Sequence, residues 1–274
     1  MYIYIIDVKI YKLRKKMILD MAPKKDRRQL RTRKKERTRN TIIEEATKLF
    51  VEKTYDDVSL EDIAEAAFVS RQTLYNYFKN KEDVHYAVGN KVYREENEEI
   101  EKILDTDLTG KEQVLLLCER IFTNSIEKPI VLKVVRDLWN NLNNSNFSSA
   151  ETYDQIAKTI GREKMDELIE KPEFLEEFDF NEYFDDPNLI QEYLQFIRHN
   201  NLWMKAIQKG KQDGTIKNKL PDMQIMQFMS FVAWGTINEI MRRQSPLDRI
   251  GMNLEVFSTN ILKLLSHFLD NYQK

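Results

Sequence analysis

The 274-residue sequence holds a single cysteine, Cys118. No disulfide framework can form within it, and a reducing cytoplasm suits such a chain. Glycine (7) and proline (6) are scarce, which argues against a β-sandwich and against a linker-rich array. No stretch alternates apolar and polar residues long enough to build a sheet. No apolar run approaches the roughly 18 residues of a membrane span. The apolar start, Met1 to Ile6, is followed by Asp7 and only then by basic residues, the wrong order for a secretory leader. The three histidines, His85, His199 and His267, lie far apart, with no cysteine or carboxylate at metal-ligand spacing. A phosphate-cradling glycine loop and a nucleophile elbow are missing too. Readings as an enzyme, a metal or cofactor protein, or a membrane protein therefore find no support.

What the sequence does have is charge, unevenly placed. The net charge of −2 hides two opposite ends. Residues 1–40 carry fifteen Lys/Arg against four acids, whereas residues 95–274 carry twenty-one against thirty-one. A basic end on an acidic body points to a polyanion partner at that end. The stretch Ala22–Arg39 is almost uniformly basic, and residues 1–33 read as a mostly disordered basic extension. Met17 and Met21 are alternative starts.

The rest reads as helix, an all-α chain. Ile42, Ala46, Leu49 and Phe50 form one apolar stripe and predict a helix over 36–53. Ser59 opens S-L-E-D, a capping-box pattern with Asp62, before a short helix whose Leu60, Ile63, Ala64 and Ala67 face inward. Ser70 is the next N-cap, opening a helix over 70–78, and Asn80 caps a fourth that runs to about Leu104. Two short helices separated by three residues after a longer one fit a helix-turn-helix, whose second helix enters the major groove. On a helical wheel Leu74 and Phe78 share the buried face of that second helix. Gln72, Thr73, Tyr75 and Asn76 point away, with Arg71 at the border. This outward set suits base edges and phosphates, and from Ser70 to Asn80 it contains no acid.

These residues also carry a family resemblance. T-R-N-T-I-I-E-E-A-T-K-L-F (38–50) and V-S-L-E-D-I-A-E-A-A-F-V-S-R-Q-T-L-Y-N-Y-F-K-N-K-E-D (58–83) resemble the DNA-binding domain of TetR/AcrR-type transcriptional regulators. A-I-Q-K-G-K-Q-D-G-T-I (206–216) is similar to the segment ending that family's eighth helix. The resemblance implies an all-helical homodimer that binds a palindromic operator on double-stranded DNA, usually represses, and is released by a small effector. It implies Arg71, Gln72 and Thr73 as base readers and Tyr75, Tyr77 and Lys81 as phosphate contacts. Asn76 joins this outward face, while Ser59 and Thr38 offer phosphate contacts at helix starts. One residue departs from the pattern. Phe68 stands in the turn where the family usually has glycine, so a left-handed turn there costs roughly 1 kcal/mol or more, and a locally different turn is expected.

Three domains are expected: the extension 1–33, a helix-turn-helix domain 34–84, and an effector-binding and dimerisation domain 85–274. Further helices are predicted near 111–127, 130–143, 149–169, 188–213, 222–243 and 253–272, about ten in all, with prolines near the breaks. The segment 222–243 is apolar nearly all round and must be covered on more than one side. With 254–269 and 188–213 it offers a dimer interface. Cys118, Phe122, Trp139, Trp203, Met204, Phe228, Trp234 and Met241 are candidates to line a pocket for a hydrophobic or aromatic effector. The acidic, aromatic stretch 163–186 reads as a partly ordered insertion, either a gate to the pocket or a solvated loop. An architectural DNA-binding protein without an effector is the alternative. It would lack a cavity and show little sequence preference.

Overall fold

A computed structural model describes residues 24–128, 130–133, 149–248 and 254–271. It is helical throughout, with no strand among the described residues. The first helix, α1 (Lys24–Glu52), is followed by α2 (Leu60–Ala66), α3 (Arg71–Tyr75) and α4 (Lys81–Leu104). Next come α5 (Gly110–Glu127), α6 (Ser149–Ile160), α7 (Arg162–Glu170) and α8 (Pro172–Glu177). After a 3₁₀ turn (Phe180–Glu182) the chain forms α9 (Pro187–Gln212), α10 (Asp222–Asp248) and α11 (Leu254–Asn271). Of the expected helix 130–143, residues 130–133 are helical and the remainder lies outside the described residues.

The N-terminal core is built as the apolar spacing requires. Ile42, Ile43, Ala46 and Phe50 of α1 pack on Ile63 and Ala64 of α2, Leu74 of α3, and Val84 and Val88 of α4. The expected capping box closes α2: Ser59 Oγ accepts from Asp62 N at 3.1 Å, and an Asp62 carboxylate oxygen accepts from Ser59 N at 2.9 Å. Ser70 Oγ accepts from Thr73 N at 3.1 Å, and Asn80 Oδ1 accepts from Asp83 N at 2.8 Å. Each such cap is worth about 1 kcal/mol.

Two expectations about the N-terminal region are corrected. Helix α1 starts at Lys24, inside the stretch expected to be disordered. Arg, Lys, Gln and Leu are good helix formers and no Gly or Pro lies between Lys24 and Glu52, so propensity carries the helix outward despite like-charge repulsion. The turn between α2 and α3 is also not remodelled. Phe68 keeps the left-handed conformation at φ 53°, the one non-glycine residue among the described residues to do so. Its side chain is 97% exposed. Helix α3 is shorter than expected, ending at Tyr75 with Asn76 as its C-cap.

The C-terminal part is organised around α9, which packs along α4 and also meets α5, α7 and α10. On one face of α9, Leu202, Trp203, Ala206 and Ile207 are buried in the protomer's own core. Its end crosses the start of α5 at two glycines. A Cβ on Gly110 would lie 1.9 Å from Gly210 N, so the crossing admits no side chain. The Asp213 carboxylate accepts from Gly110 N at 2.8 Å, and Gly214 turns the chain away at φ 76°. The segment similar to the family's eighth-helix end thus has a mechanical reason for its glycines.

The stretch 163–186 also differs from expectation. It is neither a gate nor a solvated loop, but the pieces α7, α8 and the 3₁₀ turn around a core of their own. Met165, Leu168, Ile169, Leu175 and Phe180 are buried against Ile156 of α6 and Ile190, Tyr193 and Leu194 of α9. Arg198 donates to the carbonyls of Ile169 and Glu170 at 2.6 and 2.7 Å, tying down the C-terminus of α7. The helix expected over 149–169 is broken at Gly161, which adopts φ 85°.

Candidate nucleic-acid interface and ligand cavity

Burying Leu74 and Phe78 fixes which way α3 faces. Arg71, Gln72, Tyr75 and Asn76 are exposed on its outer side, and Thr73 and Tyr77 are half-buried at its edges. The side chains are pre-ordered by their neighbours. Arg71 pairs with Glu61, and Thr73 shares a 2.8 Å hydrogen bond between hydroxyls with Ser70. Gln72 Nε2 donates to Asn76 Oδ1 at 3.5 Å. The Arg71–Glu61 pair is solvent-exposed and therefore weak. An incoming phosphate or base edge replaces it at little cost.

Three expected contacts are placed differently. Ser59 gives both its N–H and its hydroxyl to the Asp62 carboxylate, so neither donor is left over. Thr38 lies fourteen residues inside α1, not at its start, and its hydroxyl donates to the Lys34 carbonyl at 3.0 Å. Lys81 folds back: its ammonium donates to the Tyr55 carbonyl at 2.8 Å and sits 4.2 Å from that ring's centre. Arg31, Arg33, Lys34, Lys35 and Arg37 of α1 stay exposed, a cationic stretch on the first half of that helix.

A polar junction ties this domain to α9. Arg39 donates to Asn188 Oδ1 at 2.6 Å, and Asn188 Nδ2 donates to Asp83 Oδ1 at 2.7 Å. The other Asp83 oxygen accepts from Lys79 N at 2.9 Å. Lys79 also pairs with Asp186 at 3.3 Å. Asp83 and Asn188 are both buried, so the chain of bonds satisfies groups that water does not reach.

Helices α4, α5, α9 and α10, with Val131 and Leu132, line an open-mouthed cavity of about 290 Å³. Its floor and walls are largely apolar, among them Ile100, Leu117, Trp203, Met226 and Trp234. A polar end is formed by Glu96, Arg120, Asn124 and His199. Glu96 is nearly buried and accepts from Asn124 Nδ2 at 2.7 Å and Arg120 at 3.1 Å, with Lys128 at 3.3 Å. Burial pushes the imidazole of His199 down to about 4, with Glu96 pulling weakly the other way, so it is neutral at neutral pH.

Of the residues expected to line a pocket, Trp203 and Trp234 do. Cys118 and Phe122 are packed into the core, and Met204 packs partly buried against it. Burial pushes the Cys118 thiol up to about 12, as for an inert core cysteine. Phe228 is exposed on α10 and stacks on Phe268 at 4.1 Å. Trp139 and the side chain of Met241 lie outside the described residues. The polar end was missed in the sequence because Glu96, Arg120, Asn124 and His199 come from three helices and share no local motif. No residue of 163–186 lines the cavity.

Known proteins match this arrangement in two ways. The profile of the bacterial regulatory proteins of the tetR family matches residues 42–88. The HTH-type transcriptional regulator TcmR of Streptomyces glaucescens is 44% identical over 55 residues, 20% of this chain and 24% of that protein. The match thus spans about a quarter of that relative's length. Solved structures extend the likeness over the whole fold. The fatty acid degradation regulator FadR of Bacillus halodurans superposes with a TM-score of 0.53 at 15% identity, covering 83% of this chain and 93% of that one. FadR of Bacillus subtilis, solved with stearoyl-CoA, gives 0.51 at 20% identity, covering 83% and 97%. The ketosteroid regulator KstR2 of Mycobacterium tuberculosis gives 0.53 at 14%, covering 85% and 95%. At these identities the structures speak for the fold alone. Residues 42–88 thus match the DNA-binding region of the tetR-family regulatory proteins, and the helical part behind them shares the fold of these solved regulators.

Proposed function

We propose that this protein is a ligand-responsive, DNA-binding repressor that holds a palindromic operator as a homodimer and leaves it when a small apolar effector enters the C-terminal cavity. The observation that carries this reading is the double role of α4. Its first two turns pack into the helix-turn-helix core through Val84 and Val88, and further along Tyr93, Glu96 and Ile100 form one wall of the cavity. A rigid helix with one end in each site couples them. An effector that fits one tilt of α4 better than another shifts the spacing of the two α3 helices, and only by its differential affinity for the two states. Operator binding needs that spacing at about 34–36 Å, one turn of the duplex.

Dimerisation is supported by the apolar surface left on the last two helices. Met223, Phe228 and Phe231 of α10 and Val256 and Leu264 of α11 are exposed, an unusual load for a monomer. Arg71, Gln72 and Thr73 read base edges in this account. Tyr75, Asn76, Tyr77 and the α1 cations hold the backbone, Lys81 after releasing Tyr55. Ser59 and Thr38 contribute only where a phosphate displaces their internal partners. The cavity is what separates this reading from an architectural DNA-binding protein.

The test is the pattern of variants on a duplex obtained by random-sequence selection. Arg71→Ala and Gln72→Ala relax base preference, and Lys81→Ala weakens all duplexes about equally. Deleting residues 1–33 lowers affinity and flattens its salt dependence. A specificity change in Lys81→Ala with none in Arg71→Ala contradicts the assignment.

A further inference from the structure

The cavity contains one polar atom whose state its neighbours determine. Asn97 Nδ2 donates to the backbone carbonyl and to Oε1 of Gln195, both at 3.0 Å. A backbone carbonyl only accepts, so the amide nitrogen of Asn97 must lie on that side and its Oδ1 on the other. His199 Nδ1 is 3.1 Å from that oxygen and therefore carries the ring proton. The ring is neutral, so Nε2 is a bare acceptor. Nε2 makes no hydrogen bond among the described residues, and the ring is part of the cavity wall. Tyr93 braces it edge-on, with ring centres 5.6 Å apart.

The charges around this acceptor are already matched. Glu96 is bound by Arg120, Asn124 and Lys128, and Arg120 also lies 3.6 Å from Glu99. A carboxylate or phosphate entering here competes with Glu96 and Glu99 for Arg120 and brings a third negative charge beside the nearly buried Glu96, which is costly. A cation meets a carboxylate already paired with Arg120 and Lys128 and must compete with both. The remaining wall is mostly apolar, with two indoles, Trp203 and Trp234, and its other polar side chains, Asn200, Gln227 and Ser230, are uncharged.

We infer that the cavity takes an uncharged, largely apolar molecule bearing a hydroxyl, and that His199 Nε2 accepts the proton of that hydroxyl. The inference rests on the reading of the cavity as the effector site. His199 is in this account the residue that selects the head group, and the aromatic walls select the body.

Three probes of one body and different heads test it: 4-butylphenol, butylbenzene and 4-butylbenzoate, titrated calorimetrically into the full chain at neutral pH. The phenol should bind about tenfold more tightly than either other probe, the worth of one good buried hydrogen bond. His199→Asn keeps a donor where Nδ1 stands and removes the acceptor. It should lower phenol affinity about tenfold and leave butylbenzene within about twofold. His199→Gln, which returns an oxygen near Nε2, should restore part of the loss. Benzoate binding as tightly as the phenol, or His199→Asn weakening all probes alike, overturns the hydroxyl assignment while the cavity reading stands. Failure of all three probes to bind overturns the cavity reading and this inference with it.

Discussion

Phe68 offers a prediction whose size follows directly from the backbone. The residue sits at φ 53° with its ring 97% exposed, so its side chain contributes no burial and its backbone carries the cost of a left-handed Cβ. That cost is roughly 1–2 kcal/mol. Asparagine tolerates the left-handed region and adds no unfolded-state freedom comparable to glycine's, so Phe68→Asn should stabilise by about 1 kcal/mol. Phe68→Gly removes the strain fully but returns about 0.5–1 kcal/mol to the unfolded chain, leaving a smaller gain. Phe68→Ala keeps a Cβ in the same conformation and should change stability by less than about 0.5 kcal/mol. Thermal unfolding reads the series, at about 2–4 °C per kcal/mol for a chain of this size. The predicted order of stability is Asn, then Gly, then Ala level with the native protein. Alanine stabilising as much as asparagine would refute the reasoning, since the ring and not the backbone would then be the burden.

Other positions yield predictions of the same kind. Gly110→Ala should destabilise by about 1–3 kcal/mol in urea unfolding, because its Cβ would meet the backbone N and Cα of Gly210 at 1.9 and 2.3 Å in the α5–α9 crossing; an unchanged midpoint would show that the crossing can open. Asn188→Ala strips a partner from Arg39 and from buried Asp83, and should cost about 1–3 kcal/mol and blunt the effector's influence on DNA affinity. His199 adds a pH dependence. Its pKa is 6.5 when unfolded and about 4 when folded, so the unfolded chain holds the extra proton between those values. Stability should therefore rise by about 3 kcal/mol from pH 4 to pH 7 through this group, and the rise should shrink in His199→Gln; an unaltered slope in that variant would exclude the histidine as its source.

Local chemistry was the legible part of this protein. The caps at Ser59, Ser70 and Asn80, the inward Leu74 and Phe78, and the left-handed demand on Phe68 each depend on residues within a few positions of one another. The order of the C-terminal helices followed from proline breaks and apolar period. What the sequence hid is non-local. The cavity's polar end is assembled from α4, α5 and α9, and its bonds join residues about 24 to 102 positions apart. The stretch 163–186 misled because its acids outnumber its apolar residues. Met165, Leu168 and Ile169 fall within the helix expected over 149–169, and the positive-φ glycine at 161 and Pro172 mark the breaks. Charge also concealed the length of α1, whose basic residues suggested disorder while their propensities favoured helix.

The central claim is sequence-specific, effector-sensitive DNA binding, and one titration tests it most directly. The full chain is titrated against a duplex recovered by random-sequence selection and against an unrelated duplex of equal length at physiological salt, with and without 4-butylphenol. The account predicts a preference of roughly 10³ or more for the selected duplex, and a loss of that affinity when the phenol is present. Equal binding to both duplexes, falling steeply with salt and indifferent to the phenol, would contradict it.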